Sequence, residues 1–420
     1  MSEPSDSGRG ANVSGAAKLL SGFFRSVAQT SDAPMGIVVE SARGATLRAA
    51  DGNEYIDLLG GIGVAALGHG HPRVLAAIAE QAKRHLHVMV YGELVQEAQV
   101  RLAERLTGLL PPTLDNVYFT NSGAEAIEGS MKLVRKTTGR TGIVSFVGGF
   151  HGDTLGALSV GGNPHYRDPF EPLVPNVTHI RFDEPADLAR IDTTTAAVFV
   201  EPVQGEAGVI IPRPGFLLAL RARCTEVGAL LVYDEVITGF GRTGSLFAFE
   251  HEGAAPDVLV LAKALGGGLP LGAFIASKSR MKALAFDPPL GHVTTFGGHP
   301  LSCAAGLAAL EVLLEESLAE KARAHGAMLA ERLRARLPAD ELVTIRQIGL
   351  LIGVEMRSAN FVQRLTRECR REGLILGWTL NDDRVLRLAP PLVISDAELD
   401  EATLRMERAA ARAKAAPKSP

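Results

Sequence analysis

Between Asn116 and Ser277 the chain repeats one pattern: a short apolar run, a turn or glycine, then a stretch with helical spacing. The apolar runs predict strands at Val117–Thr120, Ile143–Phe146, Ala197–Val200, Leu230–Asp234, Val258–Ala262 and Ala273–Ser277. A strand that is apolar at every position is buried on both faces, which indicates a mainly parallel sheet under two layers of helix. Helical patterns precede it at Pro72–Arg84 and Glu93–Gly108. Earlier still, Ala45–Leu58 alternates about the turn Asp51, Gly52, Asn53 as a hairpin does. Beyond Pro300 come two long helices, strands at Val343–Gln347 and Leu350–Met356, a helix, a strand at Val385–Ala389 and a final helix. The predicted fold class is α/β: a mainly parallel central sheet with helices on both faces, plus a smaller discontinuous α+β domain that the N-terminal hairpin joins. The expected division is a polar arm and short helix at 1–34, the start of the small domain at 35–70, a large domain at 71–310 and the rest of the small domain at 311–420.

The ends and the composition narrow the class. Leu19, Leu20, Phe23, Phe24 and Val27 fall at helical spacing and predict an amphipathic helix that docks on something. Glu3 and Asp6 ahead of it argue against a targeting peptide. The tail AARAKAAPKSP reads as a fraying helix end. With 46% hydrophobic residues the chain is globular, and a net charge of −4 gives no electrostatic reason to expect nucleic acid or an anionic membrane. The apolar stretch Val258–Ala276 is broken by Lys263, three glycines and Pro270, so it predicts no membrane span. The three cysteines, Cys224, Cys303 and Cys369, are far apart and lack metal-ligand spacing. They favour a reducing compartment, read as the cytoplasm, with no disulfide framework and no metal.

Lys263 is the residue that asks for chemistry. It ends the run VLVLA and precedes three glycines, where burial favours the neutral, nucleophilic amine. Snorkelling to solvent is the alternative. Asp234 ends a second apolar run, and a buried carboxylate needs a cationic partner to stay charged. One reading makes the two a structural ion pair. The other places a heterocycle between them, bonded to the lysine and protonated on a ring nitrogen facing the aspartate, which describes pyridoxal phosphate. Its phosphate has a candidate site in FTNSGAEA, where Ser122, Gly123 and the first N–H groups of a helix can face an anion. A capping box from Ser122 to Glu125 explains the same residues without a ligand. Phe150, in VGGFHGDT, can stack on a ring or simply fill core. Glu201 and Glu206 follow the run AVFV, while Thr294 and Thr295 read as loop hydroxyls. Arg387, inside VLRLAPPL, needs an anion, either a structural acid or a substrate carboxylate.

Together these segments resemble the class III (ω-amino) aminotransferases among the fold-type I pyridoxal-phosphate enzymes. The matching stretches run in order: DGNEYIDLLGGIGVAALGHGHP, NSGAEA, FHGDT, EPVQGEAG, YDEVITGFGRTG, PDVLVLAKALGGGLPLGA, TTFGGHPLSCAA and LRLAPPL. The resemblance implies that Lys263 binds pyridoxal 5'-phosphate as a Schiff base and shuttles the proton, while Asp234 keeps the pyridinium nitrogen protonated. It implies that Ser122, Gly123 and Ala124 bind phosphate, with Thr295 reaching across from a partner subunit. Phe150 and Val236 would flank the ring, and His151, Glu201 and Ile237 would lie beside the cofactor. Glu206 would pair with Arg387 and release it to a 2-oxo acid. The implied activity is a ping-pong transfer from an amine donor to a 2-oxo acid, in a homodimer or a tetramer.

Three positions depart from well-known relatives. Asp153 stands where members acting on acetylornithine or 4-aminobutyrate often have an arginine. It is expected to cap the following helix, or as a hypothesis to attract a distal amine. Ile62 stands near a position that is aromatic in ornithine enzymes, and Ile237 where many relatives have glutamine. The likeness, including GWTLNDDRVLRLAPPL, leans toward putrescine-type members, whose donors are diamines or basic amino acids. Acetylornithine aminotransferase is the alternative. A dialkylglycine-type decarboxylase, an aminomutase or a non-catalytic scaffold would keep the fold with other chemistry.

Overall fold

The computed structural model describes residues 7–90 and 92–415, so the first six residues of the polar arm and the last five of the tail lie outside it. The helix predicted near the N-terminus forms as Ser7–Ser26. Leu19 and Phe24 of this helix and Val27 just past it are exposed, so among the described residues these side chains do not make the expected docking. Strands β1 (Val39–Arg43), β2 (Thr46–Ala49) and β3 (Glu54–Asp57) follow, with β2 and β3 forming the predicted hairpin. Asp51 closes its turn by accepting from the backbone and side chain of Asn53 at 3.0 Å, while Gly52 takes a φ of 87°.

The predicted apolar runs all become strands of one sheet. They are β4 (Asn116–Thr120), β5 (Gly142–Phe146), β7 (Thr195–Val200), β8 (Leu230–Asp234), β9 (Val258–Leu261) and β10 (Gly272–Ala276). A seventh, β6 (Val177–Ile180), was not predicted: its sequence VTHI is half polar and only Ile180 is buried, as suits the edge it occupies. The order is β4-β10-β9-β8-β7-β5-β6, with only β10 antiparallel to its neighbours. Strand alternation sorts the side chains into two cores. Val198, Leu231, Tyr233 and Leu259 pack on the face of the helix Phe216–Val227, with its Leu217, Leu220 and Cys224. Ala197, Phe199, Val232 and Val260 pack on the other, with Ile127, Met131 and Val134 of the helix Gly123–Thr138. Each such side chain contributes roughly 1.5–3 kcal/mol by burial, and truncating the fully buried Phe199 to alanine removes about 3–5 kcal/mol.

The C-terminal region adds an antiparallel sheet of β11 (Leu342–Ile348), β12 (Leu351–Met356), β14 (Gly377–Trp378) and β15 (Val385–Leu388), in the order β11-β12-β15-β14. Strand β13 (Leu374–Ile375) instead pairs in parallel with β3, joining the N-terminal hairpin to this region. The helix predicted from Glu93 starts at Glu97. Arg242, in the loop after β8, reaches the carbonyls of Leu350 and Pro390 at 3.0 and 2.6 Å and braces the two regions together. Burial pushes its guanidinium down to about 9, against the opposing charge of Asp57. Among the described residues no helix is long and apolar enough to cross a membrane.

Candidate active site

Strands running the same way bring their carboxyl ends to one edge, where ligands collect in open α/β sheets. Asn121 and Ser122 follow β4, Phe150 and His151 follow β5, Glu201 follows β7, Asp234 ends β8 and Lys263 lies just past β9. These residues line a cavity of about 410 Å³. Val64, Val236, Ile237 and the segment Gly268–Leu271 add apolar wall, and Glu206 and Arg387 add a charged pair. Seven segments separated in sequence therefore meet at this edge.

Asp234 is tightly held. His151 Nδ1 lies 2.8 Å from its Oδ2, with both side chains almost fully buried, and the Val236 N–H donates to its Oδ1 at 2.9 Å. Burial alone would lower the His151 pKa, but the hydrogen bond and charge of Asp234, with Glu201 beyond, raise it overall. Glu201 accepts from the Phe150 N–H at 3.0 Å and the Gly205 N–H at 2.9 Å, tying the two loops together. Burial lifts its carboxyl to about 7. Lys263 has a φ of 49°, in the left-handed region, a conformation that costs roughly 1–3 kcal/mol and clusters at functional sites. Burial lowers its pKa and the charge of Arg387 adds to this, against Glu206, Asp234 and Glu201. Arg387 and Glu206 form a buried ion pair, and the Leu380 N–H donates to the second Glu206 oxygen at 3.0 Å. Arg387 Nε has no partner among the described residues.

The helix Gly123–Thr138 points its N-terminus at the cavity. Ser122 caps it by accepting from the Glu125 N–H at 3.1 Å. Glu125 does not return a bond to Ser122; it holds the N–H and side chain of Asn121 instead, so the expected capping box is shifted by one residue. A Cβ on Gly123 would lie 3.0 Å from the Val236 side chain, so helix and wall approach closely here.

Three candidate residues lie outside the cavity wall. Thr295 is exposed, beside exposed Val293 and Phe296, while its neighbour Thr294 accepts from Asn121 at 2.9 Å. Ile62 is exposed, with a φ of 63°. Asp153 is exposed and does not cap the helix that follows. Thr154 does so, accepting from the Ala157 N–H, because the helix begins at Leu155, one residue later than the Asp153 assignment needs. Asn121 and the segment Gly268–Leu271 belong to the wall but were not singled out from sequence. The signal for Asn121 was its place between a strand and a helix cap.

The family model for class III aminotransferases matches residues 27–410. The chain belongs to the class III aminotransferases. An acetylornithine aminotransferase from Methanopyrus kandleri is 47% identical over 84% of this chain and 88% of its own length. A putrescine aminotransferase from Pectobacterium atrosepticum is 41% identical over 83% of this chain and 77% of its own. Among solved structures, an ornithine aminotransferase from Toxoplasma gondii superposes with a TM-score of 0.88 at 32% identity, covering 95% of this chain and 96% of that one. An ω-transaminase from Thermomicrobium roseum gives 0.88 at 31%, covering 95% and 98%. The architecture is that of the fold-type I enzymes, and class III aminotransferases use pyridoxal phosphate; a second Toxoplasma structure carries it in partial occupancy.

The residues of this class III aminotransferase fit that cofactor. The cavity presents a part-buried lysine and a buried carboxylate, apolar surface from Val236 and part-buried Phe150, and a helix N-terminus whose first N–H groups lack intrahelical acceptors. Among the described residues no group of three or more His, Cys, Asp or Glu side chains is arranged to hold a metal ion.

Proposed function

We propose that this class III aminotransferase moves a terminal amino group from a diamine or basic amino acid, of putrescine or ornithine type, to a 2-oxo acid such as 2-oxoglutarate or pyruvate. The observation that carries this reading is one cavity holding a deprotonation-prone Lys263, a fixed Asp234 and an Arg387 already neutralised by Glu206. Bound there, pyridoxal 5'-phosphate supplies an electrophilic carbon and an electron-accepting ring. Asp234, oriented by His151, holds a proton on the ring nitrogen. Ser122, Gly123 and Ala124 bind the phosphate at the helix N-terminus, Phe150 and Val236 flank the ring, and Glu201 and Ile237 complete its surroundings. The neutral amine of Lys263 takes the proton from the substrate's amino-bearing carbon and delivers it to the acceptor carbon. Glu206 covers Arg387 while a donor without a neighbouring carboxylate is bound. It gives way when a 2-oxo acid brings a carboxylate to the guanidinium.

The working unit we infer is a homodimer with Thr295 contributed across the interface, a reading supported by the exposure of Val293, Thr295 and Phe296. Residues 35–70 and 311–420 are assigned to one small domain and 71–310 to the large one, supported by the pairing of β3 with β13. Acetylornithine is the second donor reading, favoured by the 47% identity to the Methanopyrus enzyme. Against it, Asp153 cannot receive the carboxylate of that donor.

The test is a panel of putrescine, cadaverine, lysine, ornithine, acetylornithine and 4-aminobutyrate against both acceptors. Putrescine and ornithine are expected to lead, and a preference for acetylornithine would replace the first reading by the second. Carbon dioxide release would mark a decarboxylase, and turnover without a 2-oxo acid an aminomutase. Protein purified with cofactor should be coloured, and borohydride should fix the cofactor's mass on Lys263.

A further inference from the structure

The Glu206/Arg387 pair is held by a loop that the proposed chemistry does not use. Between β14 and β15 the chain crosses from the C-terminal sheet onto the loops around the cavity. There the Leu380 N–H donates to Glu206 Oε2 at 3.0 Å, and the Asn381 N–H donates to the Glu206 backbone carbonyl at 3.0 Å. The loop is pinned in turn by the Asn381 side chain. Its amide donates to the Gly148 carbonyl at 2.7 Å, at the start of the loop carrying Phe150 and His151, and its oxygen accepts from Asn163 at 2.9 Å. Tyr166 adds a bond to the Leu380 carbonyl at 3.1 Å. Glu206 is thus held at both carboxylate oxygens: by Arg387 on Oε1 and by the loop on Oε2.

We propose that Asn381 is a positioning residue for substrate alternation: it latches the Leu380 N–H against Glu206, so that the carboxylate stays poised to neutralise Arg387 whenever the donor is bound. This rests on the reading of Glu206 and Arg387 as the alternating pair. With the latch in place, Glu206 covers Arg387 at little entropic cost. With the latch removed, Glu206 samples other positions and an unneutralised guanidinium faces the amine donor. The half-reaction with a donor lacking a neighbouring carboxylate suffers, while the half-reaction with a 2-oxo acid, which needs Arg387 free, does not. The loss of two half-buried hydrogen bonds corresponds to about a fivefold fall in the ratio of the two kcat/KM values.

The experiment measures both half-reactions separately on the holoenzyme, by absorbance, with putrescine as donor and 2-oxoglutarate as acceptor. N381A removes both side-chain bonds. N163S keeps a competent cap for the short helix Pro164–Arg167 but is too short to reach Asn381. Both variants should lower the donor-to-acceptor ratio, N163S by less, and the double variant should add little to N381A. Equal loss in both half-reactions, or no change in their ratio, would overturn the proposal, since a purely structural role moves both together. E206A separates the two ideas. If it leaves the ratio unchanged, the alternating pair itself is wrong; if it lowers the ratio while N381A and N163S do not, only the latch is wrong.

Discussion

The bond between His151 and Asp234 gives the sharpest test of how the site is built. At 2.8 Å, with side-chain exposures of 1% and 5%, it is a charge-assisted contact away from water. The alternative partner of Asp234, the Val236 N–H, reaches only Oδ1. H151A therefore strands Oδ2. Hydrogen bonds to charged groups are worth about 1.5–3 kcal/mol, and breaking a buried pair costs up to about 3–5 kcal/mol. If Asp234 serves the ring nitrogen, about 2 kcal/mol of that loss appears as a roughly 30-fold fall in single-turnover rate. H151N is the control, because its amide nitrogen occupies roughly the place of Nδ1 and should restore most of the rate. Stopped-flow absorbance on the holoenzyme measures the single-turnover rate of each variant. Equal losses in H151A and H151N would refute the argument that this bond holds Asp234 in place.

Three further outcomes are expected. In the apo-protein, Glu201 and Glu235 each have carboxyls lifted by burial to about 7, and His151 is also raised. A raised folded-state pKa contributes stability below the unfolded value that is lost as pH climbs through the folded one, so the unfolding free energy measured with urea should fall between about pH 4.5 and 8, by up to roughly 3 kcal/mol for each glutamate; a free energy that rises over that window contradicts the assignment. D153N should raise KM a few-fold for putrescine and cadaverine while leaving 4-aminobutyrate unchanged, and an equal effect on all donors would remove Asp153 from substrate selection. F296E, placing a charge among exposed apolar side chains, should shift the sedimentation coefficient to that of a monomer and weaken cofactor retention; an unchanged assembly would argue against that surface as the interface.

The central sheet was legible because its inner strands are apolar at nearly every position, a pattern that double-sided burial explains. The same uniformity hid the direction of β10: GAFIA carries no mark that distinguishes antiparallel from parallel. Edge strand β6 escaped because half of its residues are polar and only Ile180 is fully buried. At the site, Lys263 and Asp234 stood out as charges ending apolar runs, but the partner of Asp234 lies 83 residues away and no spacing rule reaches it. Asp153 and Thr154 are both good capping residues, and only the backbone register decided for Thr154. Arg242 was hidden in a polar stretch, GFGRTG, that gives no hint of a guanidinium bound to carbonyls and buried to 2% exposure.

The reversed strand has a consequence for turnover. A parallel successor to β9 would have required a crossover of a dozen or more residues. Because β10 comes straight back beside β9, residues 262–271 suffice, and both ends of that leash are sewn into the middle of the sheet. An amine released from its covalent bond on so short a tether cannot drift, and stays at the high effective molarity that intramolecular proton transfer exploits. Lengthening the leash by a few glycines between Ala264 and Gly267 would dilute the base while keeping every side chain of the cavity wall.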